Sequence, residues 1–172
     1  MPYVIIIAGP NGAGKSTFAR RLLARHPDPV FVNADEIARA LQADLTGQSR
    51  DMRAARDMIA VLDAHISAGA DIMLETTLAT RRYLALIPRW RAASYEVDLY
   101  YLRLPDPETA VARVSKRVAS GGHAIPPEAI RRRFGRSLAY LLEYMPIVNT
   151  WYVFDSIEGD FSFVISGENH GS

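Results

Sequence analysis

Residues 4–8 are apolar, Val-Ile-Ile-Ile-Ala, and run directly into Gly-Pro-Asn-Gly-Ala-Gly-Lys-Ser-Thr at residues 9–17. The spacing is G-x-x-x-x-G-K-[ST], which constrains the fold more than any other feature of the chain. The β-branched run Tyr3–Ala8 has the length and character of a buried parallel strand. Beyond the glycines, Phe18, Leu22 and Leu23 recur at helical spacing, so a helix opens at about Gly14. Strand, glycine loop and helix start together form a phosphate-binding loop. Its backbone N–H groups over residues 12–17 would face a polyphosphate, helped by the positive end of the helix dipole. Lys15 would reach the β- and γ-phosphates, and the Ser16 hydroxyl would hold Mg²⁺. The candidate ATP-binding residues are therefore Gly9, Pro10, Asn11, Gly12, Ala13, Gly14, Lys15, Ser16 and Thr17. A glycine turn that only joined strand to helix would need neither Lys15 nor Ser16.

The rest of the chain repeats the alternation of strand and helix, which predicts an α/β domain with a parallel sheet flanked by helices. Further strands are expected at Val30–Asn33, Asp71–Leu74, Glu96–Leu104, Trp151–Asp155 and Phe161–Ser166. Helices are expected at Ala34–Ala43, from a Ser49 cap to Gly69, at Thr80–Ala93 with a kink at Pro88, at Pro107–Ala119 with Asp106 as cap, and at Pro127–Tyr144. With 172 residues and 49% apolar content, the chain is read as one domain over residues 1–167 with a frayed tail at 168–172. No apolar run approaches the length of a membrane span, and the N-terminal apolar run reads as a strand and not a leader. There is no cysteine, which removes disulfides and thiolate metal sites and makes the cytoplasm the expected compartment.

In open α/β sheets, ligands bind at the carboxyl ends of the strands. The second strand ends in Phe-Val-Asn-Ala-Asp, which puts Asp35 just past its tip. The third ends in Leu-Glu-Thr-Thr, which puts Glu75, Thr76 and Thr77 at its tip. A carboxylate near the acceptor can orient a hydroxyl and take its proton, and Asp35 fits that role best, with Glu36 second. Asp35 could instead cap the helix that follows. Glu75 could bind an acceptor hydroxyl or a water on Mg²⁺, or satisfy loop amides. Thr77 could bind substrate or cap a helix.

Net charge is +1, but between Arg103 and Arg136 eight basic residues face three acids. Arg113 and Arg117 lie four apart on one helix face, and Arg131, Arg132 and Arg133 open the next helix. Its apolar stripe is Ile130, Phe134, Leu138, Leu141 and Met145, with Arg131 and Arg133 flanking it and Arg132 opposite. The two helices are joined by Gly-Gly-His-Ala-Ile-Pro-Pro, so residues from about 107 to 136 read as a hinged lid that closes guanidinium groups on a triphosphate. Arg113 is the candidate for ATP binding; Arg131 and Arg136 read as solvent-facing. His123 sits in the hinge, and no other histidine has metal-ligand spacing.

The segments GPNGAGKSTFAR, FVNADEIA, ETTLAT and RVSKRVASGGHAIPPEAIRRRF, in this order, resemble the zeta-toxin-like P-loop kinases. The resemblance spans residues 3 to about 156, and the GGH-type lid is that of the smaller, stand-alone relatives. It implies a P-loop NTPase-type sheet with a helical lid, ATP and Mg²⁺, and phosphorylation of a hydroxyl on a small molecule such as UDP-N-acetylglucosamine. By the same resemblance Asp35 is the base, Glu75 and Thr77 line the acceptor site, and Lys15, Arg117, Arg132 and Arg133 serve the phosphates. It also brings an antitoxin into view as a partner; the chain alone is expected to be a monomer. A nucleic-acid-end kinase and a non-kinase P-loop NTPase are the alternatives. The basic segment holds Phe134 as its single aromatic, too few for stacking bases. An N-K-x-D stretch for guanine and an L-S-G-G-Q signature are both missing.

Overall fold

The computed structural model describes residues 1–26, 28–34, 37 and 48–169. A six-stranded sheet has the order β2-β3-β1-β4-β5-β6. Its strands are β1 (Tyr3–Ala8), β2 (Val30–Asn33), β3 (Ile72–Thr76), β4 (Glu96–Arg103), β5 (Thr150–Ile157) and β6 (Asp160–Glu168). The first five run parallel, and β6 turns back antiparallel on β5 at the edge. The sheet is therefore mixed, where strand–helix alternation alone predicts a parallel one. The reversal follows from a tight β5–β6 turn through Glu158 and Gly159, too short to carry a crossover helix.

β1 is central, and Val4 through Ala8 are all buried. Alternation sends Val4, Ile6 and Ala8 to one face and Ile5 and Ile7 to the other. The first face packs against α2 (Gln48–Ser67), α3 (Leu86–Ala92) and the end of α5 (Pro127–Tyr144) through Leu62, Trp90, Leu141 and Tyr144. The second packs against α1 (Lys15–Leu23) and α4 (Pro107–Ala119) through Phe18, Ala19, Ala110 and Val114. Burying each large aliphatic here stabilises the fold by about 1.5–3 kcal/mol. The α4–α5 pair thus starts on one face, passes over the carboxyl edge and descends the other.

Local signals place several ends. Asp106 caps α4, accepting from the Thr109 amide at 2.6 Å, and Pro107 follows it at the first helical position. Gly69 closes α2: its N–H bonds the Ile66 carbonyl, and the Ala70 N–H bonds that of His65. Three expectations shift. Ser49 lies within α2, whose described residues begin at Gln48. The region Thr80–Ala93 is not one kinked helix but a 3₁₀ turn (Arg82–Leu84) followed by α3. Pro88 is the third residue of α3, where its missing N–H would have no partner within the helix, so it causes no kink. On α5 the buried stripe is Ile130, Ser137, Leu141 and Tyr144, while Leu138 is 47% exposed. The small Ser137 lets the helix approach the sheet, and its hydroxyl meets that of Tyr101 at 3.0 Å. β6 runs through Glu168, and the Asn169 amide donates to the Met145 and Val148 carbonyls, so order reaches into the expected tail. The expected helix Ala34–Ala43 falls largely outside the described residues, as do the side chains of Met52 and Ala55 and the residues after Asn169.

Candidate active site

The loop leaves β1 at Gly9, whose φ is 145°. A Cβ there would lie 2.4 Å from the Leu102 carbonyl oxygen, so only glycine fits between β1 and β4. Gly14, at φ 80°, turns the chain into α1, and its carbonyl accepts from the Thr17 and Phe18 amides. No side chain caps α1, which leaves its first N–H groups directed at the space above the loop. Lys15 is 6% exposed, and its ammonium donates to the Gly9 and Pro10 carbonyls at 3.0 and 3.1 Å. Asn11 is buried beside it.

Glu75 reaches the same place from β3. Parallel register sets it beside Ile7 of β1 on one side and Asn33 of β2 on the other. The Ser16 hydroxyl donates to Glu75 Oε1 at 3.0 Å, across 59 residues of sequence. Thr76 accepts from the Leu78 amide at 3.1 Å, and Thr77 is buried next to it. Leu78 itself has φ 58° with its side chain fully buried, a strained residue directly after the site and one with no sequence signal. Ser16 and Glu75 are hard oxygen donors of the type Mg²⁺ takes from a protein when phosphates and waters complete its shell, so the donor set fits that ion. Among the described residues no group of three or more His, Cys, Asp or Glu could hold a metal ion by itself.

Two of the lid arginines are tied down. Arg113 donates to the Ser156 hydroxyl and carbonyl at 3.0 and 3.1 Å and to the Gly12 carbonyl at 3.5 Å, which clamps α4 and the loop to β5. Arg131 forms a fork with Glu108 at 2.7 and 2.9 Å, joining the starts of α5 and α4. Arg117 is exposed and donates to the His123 carbonyl at 3.4 Å, within the hinge. Arg132 and Arg136 are exposed and Arg133 is half-buried. Arg117, Arg132 and Arg133 make no bond to the loop or to Glu75 among the described residues, whereas Arg113 does reach the loop. Asp35 and Glu36 lie outside the described residues. Sequence reasoning missed Ser156 and the Arg103–Asp155 fork, whose register pairing depends on β4 and β5 being neighbours.

Residues 4–140 match the AAA domain family, a span that takes in the loop, Glu75 and every lid arginine. The chain belongs to the AAA domain family. It is a P-loop NTPase-type domain. A chain of the PezAT chromosomal toxin–antitoxin system of Streptococcus pneumoniae superposes with a TM-score of 0.68 at 20% identity, over 96% of this chain and 72% of that one. A chain of the AvrRxo1-ORF1:-ORF2 complex with ATP gives 0.69 at 17%, over 96% and 58%. Both likenesses are of fold. A chain of the Pnkp1/Rnl/Hen1 RNA repair complex gives 0.67 at 26%, over 86% of this chain and 47% of that one. This chain therefore spans about half the length of that relative. Among the described residues no helix is long and apolar enough to cross a membrane.

Proposed function

We propose that the protein is a kinase that moves the γ-phosphate of ATP to a hydroxyl of a small molecule, a nucleotide sugar such as UDP-N-acetylglucosamine being the acceptor that the zeta-toxin resemblance implies. The observation that carries this reading is the meeting of Ser16 and Glu75 at the mouth of a glycine loop, at the carboxyl ends of β1 and β3. The loop amides and Lys15 bind the triphosphate. Ser16 and Glu75 would hold Mg²⁺, which supplies neutralisation of phosphate charge when bound. Thr77 and Glu75 orient the acceptor. Asp35 takes the acceptor proton as the new O–P bond forms and the bond from the γ-phosphorus to the β-phosphate oxygen breaks, releasing ADP. Arg117, Arg132 and Arg133 reach the migrating phosphoryl group when the lid closes, and Arg113 steadies the loop beneath it.

The test is incubation with γ-labelled ATP and a panel of sugar nucleotides, nucleosides and oligonucleotides, read as label on the acceptor. Transfer to a small molecule that Asp35→Asn abolishes supports the reading; hydrolysis alone with every acceptor counts against it. Likeness to the RNA repair chain over 86% of this sequence favours a second reading, a nucleic-acid-end kinase. Label on oligonucleotide ends, with affinity that falls steeply as salt rises, would select it. The PezAT likeness makes an antitoxin-type protein the partner to look for by co-purification.

A further inference from the structure

We propose that Tyr144, Arg81 and Glu143 tie the acceptor loop to the lid helix, so that closing α5 over a bound nucleotide sets the position of Thr77. Tyr144 and Arg81 are then positioning residues for the acceptor, acting through the backbone of Thr80. This rests on the kinase reading and adds how the sites of its two substrates are coupled. The loop runs from the tip of β3 to the 3₁₀ turn at Arg82–Leu84. The end of α5 grips it at three points. Tyr144 is fully buried, and its hydroxyl donates to the Thr80 carbonyl at 2.7 Å. Arg81 forks onto Glu143, through Nε at 3.1 and 2.9 Å to Oε1 and Oε2 and through Nη2 at 2.5 Å to Oε1. The same guanidinium lies 4.7 Å from the centroid of the Tyr140 ring. Tyr140, Glu143 and Tyr144 share one helix face, so the grip is a single surface.

Both ends of the loop are held, and its middle is strained. On the strand side, Thr76 Oγ1 accepts from the Leu78 amide at 3.1 Å. Leu78 is buried with φ 58°, a conformation that a leucine keeps only where its surroundings enforce it. Thr77 sits between the strand tip and that strained residue, three residues before the carbonyl that Tyr144 holds. A loop fixed in this way does not absorb a displacement of Thr80; it passes it to Thr77. The lid helix can deliver one. Near its start α5 buries Ile130 against one face of the sheet, and near its end it buries Leu141 and Tyr144 against the other. Between them the small Ser137 rests on Tyr101. Gly135, with open space where a Cβ would stand, lies two residues before it. A helix seated at its middle tilts when a ligand pulls Arg132 and Arg133 inward. Its far end, roughly 17 Å away at 1.5 Å per residue, moves with them. An exposed ion pair adds little to stability, so what the Arg81–Glu143 fork contributes is geometry.

Hydrogen exchange read by mass spectrometry tests the coupling without any acceptor. Wild type, Tyr144→Phe and Arg81→Ala are measured with and without the Mg²⁺ complex of a non-hydrolysable ATP analogue. The readout is the ratio of exchange rates, free over bound, for residues 12–19 of the phosphate loop, 128–136 of the lid and 77–84 of the acceptor loop. In the wild type all three segments are protected, by about fivefold or more at 77–84. Both variants keep the first two ratios within about twofold of wild type and bring the third down to about one. A purely structural tie has another signature: exchange at 77–84 speeds up equally in the free and bound proteins, and its ratio stays at the wild-type value. That outcome overturns the proposal, as does, in the wild type, protection of either the lid or 77–84 without the other. Circular dichroism melts check that each variant folds. If Tyr144→Phe, which leaves a buried carbonyl unpaired, does not fold, Arg81→Ala decides, because that side chain is 62% exposed. No protection at 12–19 in the wild type overturns the kinase reading, and the coupling with it.

Discussion

The phosphate loop and the lid carry comparable chemistry in opposite physical settings. Around the loop, Lys15, Asn11 and Glu75 are each no more than 6% exposed, and Lys15 and Glu75 bond within the site itself. On the lid, Arg117, Arg131 and Arg132 are exposed, and the bonds they make are to the lid's own hinge or ends. The loop is therefore organised by folding, whereas on the lid Arg113 and Arg131 are paired within the protein and, among the described residues, Arg132 and Arg133 make no side-chain hydrogen bond or ion pair. Changes at the loop should register in both stability and rate. Changes at Arg132 and Arg133 should register in rate alone.

Lys15→Ala gives the largest expected effect. Removing a preorganised cation from the triphosphate site lowers transfer by about 10²–10³ or more, read as the initial rate with labelled ATP. Retained transfer would sink the loop assignment. Gly9→Ala comes next and tests the folding side. A Cβ 2.4 Å from the Leu102 carbonyl forces β1 and β4 apart, at a φ of 145°, and the expected loss is about 2–4 kcal/mol in urea unfolding. An unchanged midpoint would mean that the loop's entry is not fixed by the sheet.

Arg133→Ala and Arg132→Ala probe the other side of the comparison. Each is expected to lower the turnover rate by about 10–10²-fold with an unchanged unfolding midpoint. The half-buried Arg133 should be the more costly of the two. A variant that unfolds early while its rate per folded molecule stays normal would move that arginine from the chemistry into the packing.

The same division explains what was legible in the sequence. Val30–Asn33, Pro107–Ala119 and Pro127–Tyr144 are observed with the expected ends. Their signals are local: a strand bounded by turn residues, an aspartate cap, and prolines at first helical positions. Glu75 at a strand tip was also legible, because a strand followed by Thr-Thr has few other places to end. What failed was non-local. The Ser16–Glu75 bond spans 59 residues and the Arg103–Asp155 fork spans 52. Both require the strand order, which no periodicity encodes. The split of Thr80–Ala93 failed because apolar spacing does not distinguish a 3₁₀ turn from the start of a helix.

Two carboxyls sharpen the contrast through pH, with opposite signs. Asp98, on β4, is half-buried and close enough to Tyr100 and Tyr152 to add to the rise that burial gives both of their pKa values. Burial, reinforced by the Glu96 carboxylate, pushes its pKa up to about 6 from 3.8. A raised acid favours the protonated form in the fold, so its contribution to stability is highest below about pH 4 and is lost as pH rises to about 6. Asp98→Asn should therefore stabilise the protein at pH 7.5, and that gain should vanish at pH 4. A gain equal at both values would assign it to packing and not to the charge.

Glu108 is the lid's counterpart and the smallest effect expected. Its fork with Arg131 lowers its pKa below 4.5, so the stability it contributes is present above that value and is lost as pH falls through the lower folded pKa. Both partners are solvent-exposed, where water and salt screen the pair and ordering two long side chains offsets most of the attraction. Glu108→Gln should shift the unfolding midpoint barely or not at all at pH 7. Any shift should shrink further in high salt and as pH falls below 4.5. A large shift that persisted in salt would mean that the starts of α4 and α5 are locked together as firmly as the loop is, and the lid could not then move independently of the fold.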